Sequence, residues 1–278
     1  MRRPLADRSP HASEAGSPKP LAVTWLGHAT ALIELDGTRM LTDPVLRDRV
    51  GPLLRIGSPV DRAALGRLDA VLISHLHADH ADAGSLRTLD QARVIGPAGS
   101  RRWLGRHCVG EVQELSPGDE TELEGVKVRA TPAVHDGRRW PVGSSAGAIG
   151  FMLEGSQTCY FAGDTDLYAG MSELAGRTDI ALLPVGGWGP TVGAGHLDPV
   201  RAARAVSMIA PRVVIPIHWG TFALAWRARQ IADPARPARR FAELVEEAAP
   251  EVDVRVLASG ERTELALRSR APAGPESR

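Results

Sequence analysis

Three imidazoles and one carboxylate lie within six consecutive positions of this chain. They belong to the segment Ser74-His75-Leu76-His77-Ala78-Asp79-His80, which directly follows the apolar run 70–73. Imidazole nitrogens and carboxylate oxygens are ligands that zinc, iron and manganese share, and a strand that stops at a tight turn aims neighbouring side chains at one point. A solvated His-rich loop explains one or two histidines but not four ligand-type residues at this density. The segment therefore predicts a metal site.

Three further strand-like runs of the chain also end at a potential metal ligand. The residues that follow these runs are His135, Asp164 and His218. Any one of them alone would be an ordinary loop residue, since such residues are common at strand ends. Together with the segment 75–80 they indicate a layered fold whose loops gather the ligands along one edge of its sheets, where functional sites usually lie.

The order of these residues resembles the metallo-β-lactamase superfamily. The pattern His-x-His-x-Asp-His at 75–80, followed by His135, Asp164 and His218, carries the resemblance, which covers about residues 21–266. Further motifs are similar to the branch that contains N-acylphosphatidylethanolamine phospholipase D and the ascorbate-phosphate lactonases. These motifs are Trp25-Leu26-Gly27-His28-Ala29-Thr30, Leu41-Thr42-Asp43-Pro44, Gly186-Gly187-Trp188-Gly189-Pro190, Gly195-His196-Leu197-Asp198-Pro199 and Ile217-His218-Trp219-Gly220-Thr221-Phe222.

The resemblance implies an α/β fold, a four-layer αββα sandwich in which two mixed β-sheets pack face to face and are covered by helices. It also implies two divalent metal ions, with zinc expected first and manganese or iron as alternatives. In the family pattern, His75, His77 and His135 hold one ion, Asp79, His80 and His218 hold the other, and Asp164 bridges them. The residues alone support this set of ligands but not its division between two ions.

The chemistry expected of such a site is hydrolysis. Two cations about 3.5–4 Å apart share a water, lower its pKa and hold a hydroxide ready for attack. We therefore expect a dinuclear metal-dependent hydrolase that uses a metal-bridging hydroxide on a phosphodiester or another anionic small-molecule ester. A lactonase of a sugar phosphate or a related cyclic ester is the alternative, since it uses the same hydroxide on a carbonyl carbon.

Two other interpretations stay open at this point. The same side chains bind iron, so a redox role is compatible with the ligand types. The second interpretation is that the chain is not an enzyme but a metal-binding module without activity. Structural zinc sites are usually closed, four-coordinate and rich in Cys, whereas this pattern has no Cys and has ligands for two ions. The ligand set thus favours a catalytic site.

Further residues are expected to act beside or among the ligands. Asp79 and His196 are the predicted catalytic residues. His196 directly precedes the start of a helix, where anions are favoured, and is expected to contact substrate or act as a general acid, with a surface or capping role as the alternative. Asp43 ends a strand and is expected to hold the second N–H of a ligating histidine or to cap the Asp-Pro turn. His28 is expected to support the site or to be a buried structural histidine.

Charge and composition limit the kinds of binding partner that are expected. Lys plus Arg and Asp plus Glu number 33 each, so the formal net charge is zero and sequence-independent binding to nucleic acid is not expected. The expected partner is a small-molecule substrate, and the oligomeric state is left open. Residues 221–229 mix aromatics with arginines but are expected to form a core-packing helix, so membrane contact is not expected. Four arginines are expected to form either a local patch that binds an anionic substrate or an ordinary solvated surface, namely Arg102, Arg106, Arg138 and Arg139.

The cellular compartment is predicted from cysteine use and from the absence of apolar segments. Cys108 and Cys159 are too few for a disulfide framework and are expected to be reduced. No stretch approaches the ~18 apolar residues of a membrane-spanning helix, and the N-terminus lacks the apolar core of a signal peptide. These observations predict a cytoplasmic protein.

The organisation of the 278 residues is expected to be one hydrolase domain at 21–268 between disordered tails at 1–20 and 269–278. Hydrophobic periodicity predicts strands at 22–26, 31–35, 38–42, 70–74, 94–97, 150–154, 158–162, 180–184 and 252–257. Asp36-Gly37 is the predicted turn of the first hairpin pair. Helices are predicted at 82–89, 99–106, 199–209 and 238–248, with Asp198 as the N-cap of the third.

Overall fold

The computed structural model describes residues 19–89, 92–137, 139, 146–189 and 191–266. The predicted tails lie almost entirely outside the described residues, as does Arg138 of the predicted arginine patch. The strands are β1 (Leu21–Gly27), β2 (Thr30–Leu35), β3 (Thr38–Thr42), β4 (Arg49–Val50), β5 (Leu53–Arg55), β6 (Ala70–Leu72), β7 (Arg93–Pro97), β8 (Val112–Leu115), β9 (Glu120–Leu123), β10 (Val126–Pro132), β11 (Ile149–Glu154), β12 (Thr158–Phe161), β13 (Ile180–Pro184), β14 (Val213–Ile217), β15 (Phe222–Leu224), β16 (Asp253–Val254) and β17 (Arg262–Leu265). The α-helices are α1 (Ala83–Leu86), α2 (Arg101–Leu104), α3 (Pro199–Ile209) and α4 (Arg236–Ala248).

Two large mixed sheets contain most of the strands. The first has the order β17-β1-β2-β3-β6-β7-β8 and the second the order β16-β14-β13-β12-β11-β10-β9. In each sheet an antiparallel meander on one side continues into parallel strands on the other. A small third sheet has the order β15-β5-β4.

Alternating burial explains how β2 separates two cores. Ile33 and Leu35 face the core between the large sheets, whereas Leu32 belongs to the core on the outer face of the first sheet. This is the period of two that a strand buried on both faces requires. Asp36 and Gly37 join β2 to β3 with φ angles of 51° and 91°, as a type I′ hairpin turn requires. The predicted turn is confirmed.

Helices cover both outer faces, which gives the predicted four-layer αββα sandwich. Leu86 and Leu104, from α1 and α2, pack on the first sheet. Val206 and Phe241, from α3 and α4, join the core of the second sheet. The two sheets contact each other directly, since the Leu21 backbone N–H donates to Gln157 Oε1 at 2.8 Å. The predicted fold class is therefore correct.

Helix α3 begins and ends at the predicted residues. The Asp198 side chain accepts a hydrogen bond from the Arg201 backbone N–H at 2.8 Å, and Pro199 occupies the first helical turn. Both features satisfy the open hydrogen-bonding positions of a helix N-terminus. The apolar face of this amphipathic helix then packs against the second sheet.

The segment 221–229 does not form the predicted helix. Phe222–Leu224 form β15, which pairs antiparallel with β5, and Ala228–Gln230 form a single 3-10 turn. The buried Phe222 ring lies under the Arg55 guanidinium, with 4.8 Å from Cζ to the ring centre. The partner strand comes from a distant part of the sequence, so tertiary pairing overrides the local pattern.

Other predicted elements are shorter in the structure. Helices α1 and α2 have four residues each, and the last predicted strand is reduced to Asp253–Val254. Arg87 and Gly105 follow the two helices as right-handed caps, so helical geometry continues slightly beyond the assigned ends. No helix in the described ranges has the length and apolarity that crossing a bilayer requires.

The parallel strands determine where functional residues meet. β3, β6, β12, β13 and β14 are parallel to a neighbour in their sheet, so their carboxyl ends lie at one edge of each sheet. The two edges meet, because the Ile149 backbone N–H donates to the Ser74 carbonyl at 3.0 Å. Loops that leave these strands therefore converge on one place.

Candidate metal centre

Unusual backbone geometry marks the residues that follow β1, β3 and β14. His28, Asp43 and His218 adopt positive φ angles of 54°, 33° and 64°. This region is unfavourable for residues with a side chain and persists only when the surrounding structure imposes it. Here each sharp turn aims a buried ligand-type side chain back at the sheet edge.

A cluster of three histidines forms the first half of the site. The ligand atoms of His75, His77 and His135 lie within 4.8 Å of one another. His135 Nδ1 donates to the Gly195 carbonyl at 2.9 Å, and its Nε2 lies 3.2 Å from His77 Nδ1. Burial lowers the pKa of His135 to about 4, so the ring is neutral and Nε2 carries a lone pair. That lone pair points into the cluster.

His75 presents a second lone pair to this cluster. Its Nδ1 is 2.9 Å from Ser74 Oγ, and the Ser74 hydroxyl donates to Asp43 Oδ2 at 2.5 Å. The hydroxyl has one hydrogen, so it accepts from His75 Nδ1–H. His75 Nε2 is buried and has no hydrogen-bond partner among the described residues. Burial lowers the pKa of His75 well below its usual value, which keeps this nitrogen unprotonated.

Asp79, His80 and His218 form the second half. His80 Nδ1 donates to Asp43 Oδ2 at 2.7 Å, and His218 Nδ1 donates to the Gly186 carbonyl at 2.7 Å. These contacts fix both rings with Nε2 inward, where the two Nε2 atoms are 3.0 Å apart. A histidine whose outer N–H is held by a carboxylate or a carbonyl is the usual arrangement around a protein metal ion.

His28 positions the Asp79 carboxylate. Its Nε2 is 3.0 Å from Asp79 Oδ2, and its backbone N–H donates to Thr221 Oγ1 at 2.6 Å. Burial lowers the pKa of His28 to about 3. Burial alone would raise the pKa of Asp79, but the hydrogen bond from His28 and the charge of His80 hold it well below its usual range. Asp79 is thus an oriented anion.

Asp164 lies between the two halves. Its Oδ2 is 3.1 Å from His80 Nε2, and its Oδ1 is 3.3 Å from His218 Nε2. Its carboxylate also lies within 4.8 Å of the His135 ligand atom. Burial would raise the pKa of Asp164, but His218 and His80 hold it well below its usual range. Oδ1 is buried without a hydrogen-bond partner among the described residues, so it has capacity for a cation.

The donor set fits a divalent metal site. Imidazole nitrogens converge with the Asp79 and Asp164 carboxylates, and neither His75 Nε2 nor Asp164 Oδ1 has a hydrogen-bond partner among the described residues. Although burial opposes the change, the neighbouring carboxylates of Asp164 and Asp43 raise the pKa of His80 well above its usual value. Neutral histidine and ionised carboxylate are the forms that bind zinc, manganese or iron. The structure brings the seven predicted ligands close together. His28 joins Asp79, His80 and His218 in one cluster, and Asp164 clusters with His135 and His196.

His196 lies beside this set and is partly exposed. Its Nε2 is 3.4 Å from Asp164 Oδ2, and its Nδ1 faces the carbonyls of Gly193 and Ala194 at 3.3 and 3.2 Å. The hydrogen bond to Asp164 raises the pKa of His196, although burial opposes this. A quarter of the side chain is exposed, so it reaches both the carboxylate and solvent.

A cavity of about 370 Å³ opens onto the site. The residues that line it include Asp79, Arg139, Asp164, Trp188 and His196. This volume is within the range of small-molecule sites. The Trp188 side chain is 42% exposed, so the ring is available to a bound molecule rather than packed in the core.

Comparison with known proteins tests the family resemblance that the sequence motifs indicate. The chain matches the model of the "Beta-lactamase superfamily domain" over residues 38–219. The chain belongs to this superfamily. It is 33% identical over 259 residues to a metal-dependent hydrolase of Caldivirga maquilingensis, covering 88% of this chain and 98% of the relative. It is 30% identical over 244 residues to N-acyl-phosphatidylethanolamine-hydrolyzing phospholipase D 1 of Caenorhabditis elegans, covering 76% and 65%.

An uncharacterized protein of Mycobacterium tuberculosis H37Rv is 34% identical over 240 residues, which is 80% of this chain. The alignment spans only 64% of that relative. Among solved structures, the metallo hydrolase Igni18 of Ignicoccus hospitalis matches with a TM-score of 0.69 and 24% identity, covering 89% of this chain and 99% of the other. The expected superfamily is confirmed, and the predicted enzyme class agrees with the names of these relatives.

Several contacts at the site were not predicted from the sequence. Ser74 links Asp43 to His75, and Thr221 holds the His28 backbone. The carbonyls of Gly186 and Gly195 orient two further rings. Ser74 directly precedes the His-rich segment, which was the one available signal. Backbone carbonyls carry no residue-type signal, so only the fold reveals them.

Proposed function

We propose that this protein is a dinuclear metal-dependent hydrolase of anionic small-molecule esters, with phosphodiesters as the first candidate class. The observation that carries the proposal is the convergence of His75, His77 and His135 on one side of Asp164, and of Asp79, His80 and His218 on the other. Zinc is the expected metal. The phospholipase D relative, whose name describes phosphodiester hydrolysis, supports the substrate class.

The residues of the chain have distinct roles in this proposal. Metal ions held by these ligands would supply Lewis acidity, lowering the pKa of a water and stabilising negative charge. Asp43 holds the His80 ring directly and the His75 ring through Ser74, while His28 holds Asp79. These contacts preorganise the ligands, so little reorganisation accompanies the reaction.

His196 is placed to contact the substrate or its leaving group. It lines the cavity, is partly exposed and lies 3.4 Å from Asp164. An imidazole there donates a hydrogen bond to an anionic oxygen or a proton to a departing alkoxide. Because the two groups of ligands are complete without it, we assign it to substrate rather than to a metal ion.

The open cavity favours catalysis over a purely structural metal site. Structural zinc sites are closed, whereas Asp79, Asp164 and His218 all line a space large enough for a small molecule. A lactonase is the second candidate because it uses the same groups on a carbonyl carbon. The histidine-rich, cysteine-free donor set also suits iron, so an iron enzyme would use the same residues with a different metal.

The experiment that tests the proposal is an activity panel with the metal-loaded and the metal-stripped protein. The panel contains 4-nitrophenyl phosphodiesters, sugar-phosphate lactones, thioesters and a chromogenic β-lactam. We expect metal-dependent turnover of the phosphodiesters and its loss on stripping, with recovery on adding zinc. Turnover confined to lactones would transfer the assignment to the lactonase, and no metal-dependent hydrolysis of any ester would reject it.

A further inference from the structure

We propose that Arg139 binds a second anionic group of the substrate, one that lies apart from the bond that is cut. The inference rests on the proposed function and deepens it. It defines the substrates as small esters or phosphodiesters that carry a further carboxylate or phosphate. The evidence is the place of Arg139 in the cavity, the contacts that fix it and the absence of a competing carboxylate.

Arg139 shares the cavity with the candidate metal ligands. The described residues that line this space include His77, Asp79 and Asp164 as well as Arg139. Of these described lining residues, Arg139 is the one that carries a permanent positive charge. A substrate whose scissile bond lies at the metal ligands therefore meets a fixed cation elsewhere in the same space.

Backbone contacts hold the Arg139 guanidinium in place. Its Nη1 donates to the carbonyls of Leu76 and Ala81, at 2.7 and 3.0 Å. These two residues flank the ligand segment 77–80, so the positive charge has a fixed position relative to the ligands. An arginine that is already ordered loses little entropy when an anion binds, which increases its contribution to affinity.

The Trp103 ring supports the other side of the guanidinium. Arg139 Cζ lies 4.2 Å from the ring centre, a cation–π contact, and Trp103 in turn lies against His107. Two carbonyls and one aromatic face thus define the orientation of the planar group. A planar, oriented guanidinium is suited to bidentate recognition of carboxylate or phosphate.

The Arg139 guanidinium is near two carboxylates but lies beyond ion-pair distance of both. Burial lowers the pKa of Arg139, while Asp82 and Asp79 raise it from a distance. Asp82 is engaged by Arg47, whose Nε and Nη2 lie 2.8 and 2.6 Å from its two oxygens. Among the described residues, no carboxylate forms an ion pair with Arg139. A half-buried cation without an ion-pair partner at a cavity wall is suited to pairing with an anion.

The test compares two non-hydrolysable probes that differ by one carboxylate, 3-phosphonopropionate and ethylphosphonate. Dissociation constants are measured by isothermal titration calorimetry with zinc saturating in every titration. For the wild type we expect the diacid to bind roughly tenfold to a hundredfold more tightly, the usual effect of one charge-assisted contact. Elemental analysis of each variant reports its metal content.

Three variants test whether Arg139 causes the tighter binding of the diacid. Arg139→Gln removes the charge but keeps hydrogen-bond donors for the loop, and we expect its preference to fall below about threefold. Arg139→Lys keeps the charge and is expected to retain most of the preference. Arg102→Gln, which removes an exposed arginine of α2, is the matched control and is expected to behave as the wild type.

Several results would overturn the inference. They are equal affinities of the wild type for both probes, an undiminished preference in Arg139→Gln, a loss in Arg139→Lys as large as in Arg139→Gln, and a parallel loss for both probes. The last result would show that Arg139 only fixes the loop between Leu76 and Ala81.

Hydrolysis of ethyl 4-nitrophenyl phosphate and of its 2-carboxyethyl counterpart separates this inference from the proposed function. In Arg139→Gln we expect a raised KM for the carboxylate-bearing ester alone, with kcat unchanged. If the metal-loaded wild type hydrolyses neither these esters nor any other in the panel, the proposed function fails. The two phosphonate probes still decide whether Arg139 binds the second anion.

Discussion

The Nε2 atoms of His80 and His218 lie 3.0 Å apart, although each ring already gives its Nδ1 hydrogen to an acceptor on its far side. Without a cation or a proton between them, the two Nε2 atoms would direct lone pairs at the same point, which is unfavourable. Asp164 Oδ2 approaches the same point to 3.1 Å of His80 Nε2. The position is therefore built around positive charge.

The first prediction is that the protein binds close to two transition-metal ions per chain. The ligands form two groups that share Asp164, and each group has three further donors. His80→Ala removes one donor and is expected to reduce the content to about one ion. His107→Ala, which removes a histidine that pairs with Arg87 and belongs to none of the ligand clusters, is the control. Elemental analysis after metal-saturated refolding measures both.

A wild-type content at or below one ion, together with no effect of His80→Ala, would reject the dinuclear assignment. A reduced content in His107→Ala would show that the assay does not report on the proposed ligands.

The second prediction concerns Asp164→Asn. The amide has nearly the same shape but lacks the negative charge that faces His80 and His218 at 3.1 and 3.3 Å. We expect turnover to fall on the order of a hundredfold or more, as when a major electrostatic element of a preorganised site is removed. Asp48→Asn, at a side chain that is 70% exposed, is the matched control. Unchanged activity of Asp164→Asn at normal metal content would contradict the mechanism.

The third prediction is that Asp43→Asn weakens metal binding. The Asp43 carboxylate accepts from His80 Nδ1, the Ser74 backbone N–H and the Ser74 hydroxyl. Its amide analogue cannot accept all three, so both His80 and His75 lose their fixed orientation. Removing such an outer partner typically costs about tenfold to a hundredfold in metal affinity. Competition with a chromogenic chelator measures the change.

Ser74→Ala is a milder variant that removes only one part of the Asp43 hydrogen-bond network. It removes the link to His75 but leaves the contact between Asp43 and His80. We expect a smaller loss of affinity than in Asp43→Asn. Equal affinity of wild type and Asp43→Asn would show that the carboxylate only caps the turn before Pro44.

The sequence predicted the parts of the site that depend on residue type and strand position. Asp164 and His218 each lie just past a buried apolar run, and parallel strands bring such ends to one edge. Helix α3 was also predictable, because Asp198 and Pro199 define its start. In these cases local chemistry and the fold agree.

The remaining features depend on contacts between distant segments. Strands β5 and β15 have three residues each and exist only because Leu53–Arg55 and Phe222–Leu224 pair. The helix predicted at 221–229 was wrong for this reason. The contacts that hold Arg139 could not be predicted from the sequence either. Its partners are the carbonyls of Leu76 and Ala81, and every residue type provides a carbonyl.

The fourth prediction is that the protein does not bind anionic vesicles at physiological salt. Trp226 is 69% exposed and stacks with Arg227, but the segment is a short strand and a turn rather than an amphipathic helix. One exposed ring and a formal net charge of zero provide little interfacial affinity. Co-sedimentation with phosphatidylserine vesicles measures it. Clear binding that is lost in Trp226→Ala would instead favour a lipid substrate.

The last prediction assigns His196 to the substrate. Its Nε2 reaches the buried Asp164 at 3.4 Å, yet the side chain is a quarter exposed and lines the cavity. The seven ligands complete both metal groups without this ring, so His196→Gln is expected to leave the metal content unchanged. Loss of a hydrogen-bonding or proton-donating group at the reacting atoms lowers rates by roughly tenfold to a thousandfold. Steady-state kinetics and elemental analysis on the same preparation measure both quantities.

The two readouts separate three roles of His196. A lower kcat at full metal content supports contact with the reacting group, and loss of one metal ion would instead make His196 a ligand. Full activity would leave it as a residue that only caps the turn through Gly193 and Ala194. His107→Gln is the matched control, because His107 is partly exposed in the same way but lies against Trp103, outside the ligand cluster. The kinetics of His107→Gln are expected to match those of the wild type. A defect confined to His196→Gln would therefore come from the location of His196 and not from a general effect of replacing histidine by glutamine.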